Sequence, residues 1–116
     1  MSMPTFAMTY VVYWPAEGVL KVGRAWRFSR VQMMVRSGGR ILVLARGTDA
    51  TWERNALRML RLWFPAAFRD EADATGLLFM GRGWSECFRV DEHHLQLAVD
   101  LCFEGFARGS DQGVNE

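Results

Sequence analysis

Cysteine is nearly missing from this 116-residue chain. Only Cys87 and Cys102 occur, which excludes a disulfide framework and fits a reducing cytosol. No apolar run reaches the ~18 residues that a membrane span needs. The N-terminal residues also lack the charged, apolar and small-residue order of a secretory signal. A soluble, cytoplasmic protein with no membrane partner and no small-molecule cofactor is expected. Lysine is scarce too, with thirteen arginines to one lysine; the bias suits bidentate phosphate contacts and follows equally from a GC-rich genome. Acid is absent from one stretch, where seven basic residues between Lys21 and Arg46 stand without a single Asp or Glu. Like charges at that density repel unless an anion lies across them, and phosphate is the usual anion.

What is present is apolar. Half the residues are hydrophobic and 13% are aromatic, so a core needs no staples. The length suits one domain, placed over residues 1–106, and the polar, Gly-rich residues 107–116 read as a disordered tail. The net charge of +1 hides two halves: residues 1–61 carry ten Lys/Arg against three Asp/Glu, and residues 62–116 carry four against ten. The basic half points to nucleic acid, whereas the acidic half leaves open an interaction module with a basic partner.

Residues 8–14, β-branched and aromatic, read as a strand that Pro15 ends. Pro15 to Gly18 is a turn, and residues 19–23 make the second strand of an antiparallel hairpin. From Trp26 to Arg36 the apolar positions Phe28, Val31, Met34 and Val35 recur at helical spacing, and Gly38 and Gly39 stop that helix. The apolar run between Arg40 and Arg46 predicts a central strand. Asp49 caps a helix from Ala50 to Phe64. Residues 69–75 read as an acidic surface loop, and residues 84–90 as a short strand with Trp84, Glu86 and Phe88 on one face. Asp91 caps a last helix running to about Phe106. The order β-β-α-β-α, followed by a further strand and helix, makes a sheet with helical cover. His93, His94, Cys87 and Cys102 lack the paired spacing of a zinc set.

Inside that order, Tyr10 precedes Lys21 by eleven positions, Arg30 follows Lys21 by nine, and Glu53 sits in the first turn of its helix. With Tyr10 on the first strand, Lys21-Val22-Gly23 on the second and Trp84-Ser85-Glu86-Cys87-Phe88 near the end, residues 8–90 resemble the GIY-YIG nuclease superfamily, in its short phage and bacterial branch. Lys21 stands where most members have tyrosine, Met34 where many have histidine, and Tyr13 competes with Tyr10 for the motif tyrosine. The resemblance implies an α+β fold with a small antiparallel three-stranded sheet flanked by helices, plus an extra C-terminal strand and helix.

It also implies a metal-dependent endonuclease acting on DNA phosphodiesters, single-stranded or branched. In it Glu53 holds one Mg²⁺ or Mn²⁺ and Arg30 steadies the phosphate. Lys21 sets a cation beside the Tyr10 phenol, so that Tyr10 or its bound water delivers the nucleophile. Arg24, Arg27, Arg36 and Arg40 are candidate phosphate contacts, and Trp26, among arginines, a candidate base-stacking platform. The alternative is a nucleic-acid-binding or phage accessory protein that does not cleave.

Overall fold

The computed structural model describes residues 7–78 and 81–114, without the side chains beyond residue 108. Four strands, β1 (Met8–Trp14), β2 (Val19–Ala25), β3 (Arg40–Arg46) and β4 (Cys87–Arg89), form one sheet. Their order is β3-β1-β2-β4 and every pairing is antiparallel. Four helices cover it: α1 (Phe28–Arg36), α2 (Ala50–Trp63), α3 (Glu71–Leu78) and α4 (Leu95–Val114). This is the α+β class that the sequence pattern predicts, with the extra strand joined to the same sheet. Among the described residues no helix is long and apolar enough to cross a membrane.

The hairpin sets the register. Gly18, in the left-handed region at φ 67°, closes the turn by donating its N–H to the Trp14 carbonyl at 2.9 Å. Trp14 then faces Val19, and counting back puts Tyr10 opposite Gly23 and Val12 opposite Lys21. Because side chains alternate along a strand, each strand feeds two cores. Val11, Tyr13, Leu20, Val22 and Phe88 pack with Leu60 of α2 and with Leu101 and Cys102 of α4. Tyr10, Val12, Trp14, Val19 and Ala25 pack with Val31 and Met34 of α1 and with Leu77 and Leu78 of α3. β1 is buried along its whole length, as a strand covered on both faces must be.

Several local expectations are corrected. β3 is an edge strand, not a central one. Among the described residues it pairs only with β1, and its residues are exposed or half-buried. The acidic stretch at 69–75 is not a loop throughout, because α3 begins at Glu71. Asp70 Oδ1 accepts from the Asp73 N–H at 2.9 Å, satisfying a donor that a helix start leaves open. Residues 84–86 form a 3-10 turn and only 87–89 a strand, since Gly83 at φ 77° turns the chain just before. A 3-10 turn, residues 92–94, stands between the Asp91 cap and α4.

The last helix continues to Val114, through residues that composition alone assigns to a tail. In its later turns Arg108 Nη2 and Glu104 Oε1 pair at 2.8 Å, an i,i+4 contact that supports helix beyond Phe106. Residues 115–116 lie outside the described part. Earlier in α4, Gly105 lets the helix approach α2 closely; a Cβ there would lie 2.7 Å from the Ala56 backbone nitrogen.

Candidate functional site

The most unusual side chain of the sheet is Lys21, on β2 and only 1% exposed. Its Nζ donates to the Tyr10 phenol oxygen at 2.6 Å and to Glu86 Oε2 at 3.0 Å. The hairpin register explains the first contact. Tyr10 lies opposite Gly23, and its ring crosses the space where a Gly23 side chain would stand, reaching Lys21 two residues away on the same face. The second contact follows from the shortness of β4, whose pairing with β2 ends at Lys21–Cys87. Just before β4, the 3-10 turn brings Glu86 against the Lys21 ammonium, with Gly83 leaving room for it. Burial works against the charge on Lys21, but the Tyr10 oxygen and the Glu86 carboxylate more than offset it and raise the pKa above the ordinary value. Lys21 is therefore an ammonium throughout the physiological range.

Glu53, half-buried in the first turn of α2, belongs to the same electrostatic group. Burial raises its pKa first and the Glu86 carboxylate second, and together these outweigh Lys21, Arg24 and Arg54. Two carboxylates thus repel each other near a single buried ammonium. Arg24, on β2, gives one bond to the Thr48 carbonyl at 3.2 Å and lies over the Trp26 ring, 5.2 Å from its centroid. Its Nε is buried with no hydrogen-bond partner among the described residues.

The donor chemistry suits a hard divalent cation. Among the described residues no cluster of three or more His, Cys, Asp or Glu gathers for a metal. Mg²⁺ commonly needs only one or two carboxylates, with water and phosphate completing its shell. Glu53, whose charged form is disfavoured by burial and by Glu86, would be relieved by such a cation. Zinc fits poorly, since Cys87 and Cys102 are buried in different cores and do not meet.

On the α1 side of the sheet, Lys21 lines a groove of about 540 Å³. Arg30 and Arg36 of α1, Leu77 and Leu78 of α3, and Arg82 line it too. Arg30, Arg36 and Arg82 are exposed, and none makes an ion pair among the described residues. The structure therefore gathers Tyr10, Lys21 and Arg30, with Glu53 coupled to them through charge. Tyr10 and Lys21 lie below the surface, not on an open face. Arg27 and Arg40 are exposed but do not line the groove. Arg40 lies opposite Tyr13, toward the other end of β1 from Tyr10.

No protein-family model, curated protein or solved structure matches this chain. What these side chains can do is read from their own chemistry.

The competition between the two tyrosines resolves by strand alternation. Tyr13 points to the opposite core, where its hydroxyl donates to the Val90 carbonyl at 2.9 Å. Burial, and after it Glu92 and Asp91, raises its pKa, so it stays a neutral phenol. Tyr10 is the tyrosine beside Lys21. We expect Tyr13→Phe to cost about 1 kcal/mol of stability for one lost internal hydrogen bond and to leave any activity unchanged. Tyr10→Phe should abolish any activity that uses this site, at a larger stability cost of about 1.5–3 kcal/mol, because the bond it removes is made to a buried ammonium. Urea denaturation and a cleavage assay on both variants check the pair; equal activity loss in the two would refute the assignment.

Two participants lie beyond the spacing of the candidate residues. Glu86 was legible only as a member of the Trp84–Phe88 segment, with no sign that it leaves the strand to meet Lys21. Arg82 carried no signal of its own, because only α3, where the sequence suggests a loop, brings it across from α1.

Proposed function

We propose that this chain is a metal-dependent endonuclease of GIY-YIG type that hydrolyses DNA phosphodiester bonds. One observation carries the reading: a buried ammonium, Lys21, holds the Tyr10 oxygen at 2.6 Å and itself lines a groove with Arg30, Arg36 and Arg82. A phenol whose oxygen accepts from an ammonium has its own O–H left for water or for the substrate. Tyr10, directly or through one water, is the group that moves the proton of the nucleophile. Arg30, exposed in the groove, meets the non-bridging phosphate oxygens as charge grows on them. Glu53, with Glu86 beside it, would hold a Mg²⁺ or Mn²⁺, which supplies Lewis-acid polarisation of the phosphate and stabilises the leaving oxygen. Arg24, carrying Trp26, extends the basic surface away from the groove.

A second reading, nucleic-acid binding without cleavage, draws on the burial of Tyr10 and Lys21, each 1% exposed. A phosphate entering the groove meets the arginines before it meets the phenol.

The two readings part on one experiment. Wild type and Glu53→Ala are incubated with labelled single- and double-stranded DNA in Mg²⁺, Mn²⁺ or EDTA. Wild type should cut in metal and not in EDTA, and Glu53→Ala should be slower by about 10²-fold or more with binding retained. Salt-sensitive binding without cutting would establish the second reading in place of the first. Loss of binding by wild type at low salt would reject both. Glu53→Gln has a further expected effect. Since burial and Glu86 disfavour the charged carboxylate, neutralising it should raise the melting temperature by a few degrees. Calorimetry in EDTA at neutral pH checks the sign, and a lower melting temperature would refute it.

A further inference from the structure

The groove beside Lys21 has a composition that a phosphate-binding surface alone does not require. Its charged lining is exposed: Arg30 and Arg36 from α1 and Arg82 after α3. The rest of its lining is largely apolar, with Met33 and the buried Met34 from α1 and the half-buried Leu77 and Leu78 from α3. Met33 is 47% exposed. A backbone phosphate gains nothing from thioether and leucine side chains. An unstacked nucleobase does, because its faces are apolar and its sugar-phosphate chain runs to the arginines. Duplex DNA does not fit this arrangement, since its bases are stacked inside and only its phosphates would reach the groove, leaving the apolar lining in water.

We infer that the groove binds single-stranded nucleic acid by taking one unstacked base between α1 and α3 while Arg30, Arg36 and Arg82 hold the flanking phosphates. Charge complementarity names the occupant. The three guanidiniums have no acidic partners among the described residues, and α1 has no acid in its first turn to offset them. The volume, about 540 Å³, lies within the ~300–1,000 Å³ typical of small-ligand sites and is far too small for a double helix. The inference rests on the nucleic-acid reading above and specifies the strand form that the site takes.

The groove can be filled without harming the fold. Gly76 lines it, and a Cβ built there meets no atom within 4 Å. Gly76→Trp therefore places an indole where the base would sit, and Ala72→Trp, at an exposed position of α3 that does not line the groove, is the control. Gly76→Trp replaces a helical glycine, so it should not lower the melting temperature.

Binding is measured by fluorescence anisotropy in EDTA with the full chain, so that cleavage plays no part. Three labelled probes of equal length are used: a mixed-sequence single strand, its duplex, and a single strand of abasic residues with the same phosphates. Wild type and Ala72→Trp should bind the single strand at least about tenfold more tightly than the duplex or the abasic strand. Gly76→Trp should bind all three alike, at the abasic level, and keep the salt dependence of phosphate contacts. Equal wild-type affinity for the single strand and its abasic copy would overturn the base pocket, yet leave nucleic-acid binding intact. Tighter binding of the duplex would also overturn it. Failure to bind any probe would reject the nucleic-acid reading itself.

Discussion

Gly23→Ala is expected to abolish metal-dependent cleavage and to cost about 1–3 kcal/mol of stability, the range for forcing extra volume into a packed interior. Ordinarily a β-strand gains from that change, because alanine loses less conformational freedom on folding. Here the added carbon has no space. It would lie 2.6 Å from Lys21 Nζ and closer still to the Tyr10 phenol carbon and oxygen. None of these atoms is the free end of an exposed chain, since Tyr10 and Lys21 are each 1% exposed. To admit the methyl the phenol must swing away from β2, breaking the Lys21–Tyr10 bond and opening the α1-side core. Chemical denaturation gives the stability change and the cleavage assay gives the functional one.

A double variant tests the cause. Tyr10→Leu shortens the obstructing ring, so Gly23→Ala added to Tyr10→Leu should cost far less than in the wild-type background, while activity stays lost. Additive stability effects would show that the two residues do not contend for the same space.

How much of this site could be read from the chain is a question of range. The contact between Tyr10 and Lys21 was expected only from the resemblance, yet its cause is nearly local: a turn at residues 15–18 fixes the hairpin, and strand alternation does the rest. The same alternation separates Tyr10 from Tyr13 once the register is known, but the register itself depends on which residue closes the turn, and spacing alone left both tyrosines open. The rank of β3 was not legible. An apolar run of five residues between arginines predicts burial on two faces, yet position in a sheet is decided by distant pairing, and β1 and β2 took the centre.

The helix α3 was masked by its own acids. Asp70 and Asp73, which suggest a loop by composition, are used as local hydrogen-bond acceptors at the helix start. Its apolar residues Leu77 and Leu78 find partners only through the tertiary packing of the α1-side core. Losing α3 from the sequence reading meant losing one wall of the groove. Glu86 was hidden for a related reason, since a left-handed Gly83 and a 3-10 turn redirect a side chain that strand periodicity would have placed beside Phe88.

Lys21→Met should separate the structural from the chemical role of the buried ammonium, through its dependence on pH. Methionine keeps most of the volume and removes the charge. At neutral pH the variant loses the cation that pairs with Glu86 and is the foremost of three lowering the Glu53 pKa, leaving the two carboxylates to repel each other. Breaking a fully buried pair costs about 3–5 kcal/mol. Glu86 keeps 27% of its side chain exposed and can turn toward water, so about 1–3 kcal/mol is expected.

The sign of the pH effect follows from Glu53. Its pKa in the folded protein already lies above the reference value of 4.5, and Lys21 is the foremost influence lowering it. Without Lys21 it rises further. A carboxyl whose pKa is higher folded than unfolded adds stability when protonated, fully below about 4.5 and lost as pH rises through the folded value. The deficit of Lys21→Met against wild type should therefore be largest near neutrality and shrink as pH falls toward 4.5.

Alkaline conditions narrow the gap from the other side. The Lys21 pKa is raised above 10.5, so what its ammonium contributes is present below that pH and fades through the higher folded value. Urea denaturation of both proteins from pH 4.5 to 8 measures the acidic limb. A deficit that stays constant across that range would mean that Lys21 acts by packing alone. In that case the ammonium would not be what holds the two carboxylates and the Tyr10 phenol together.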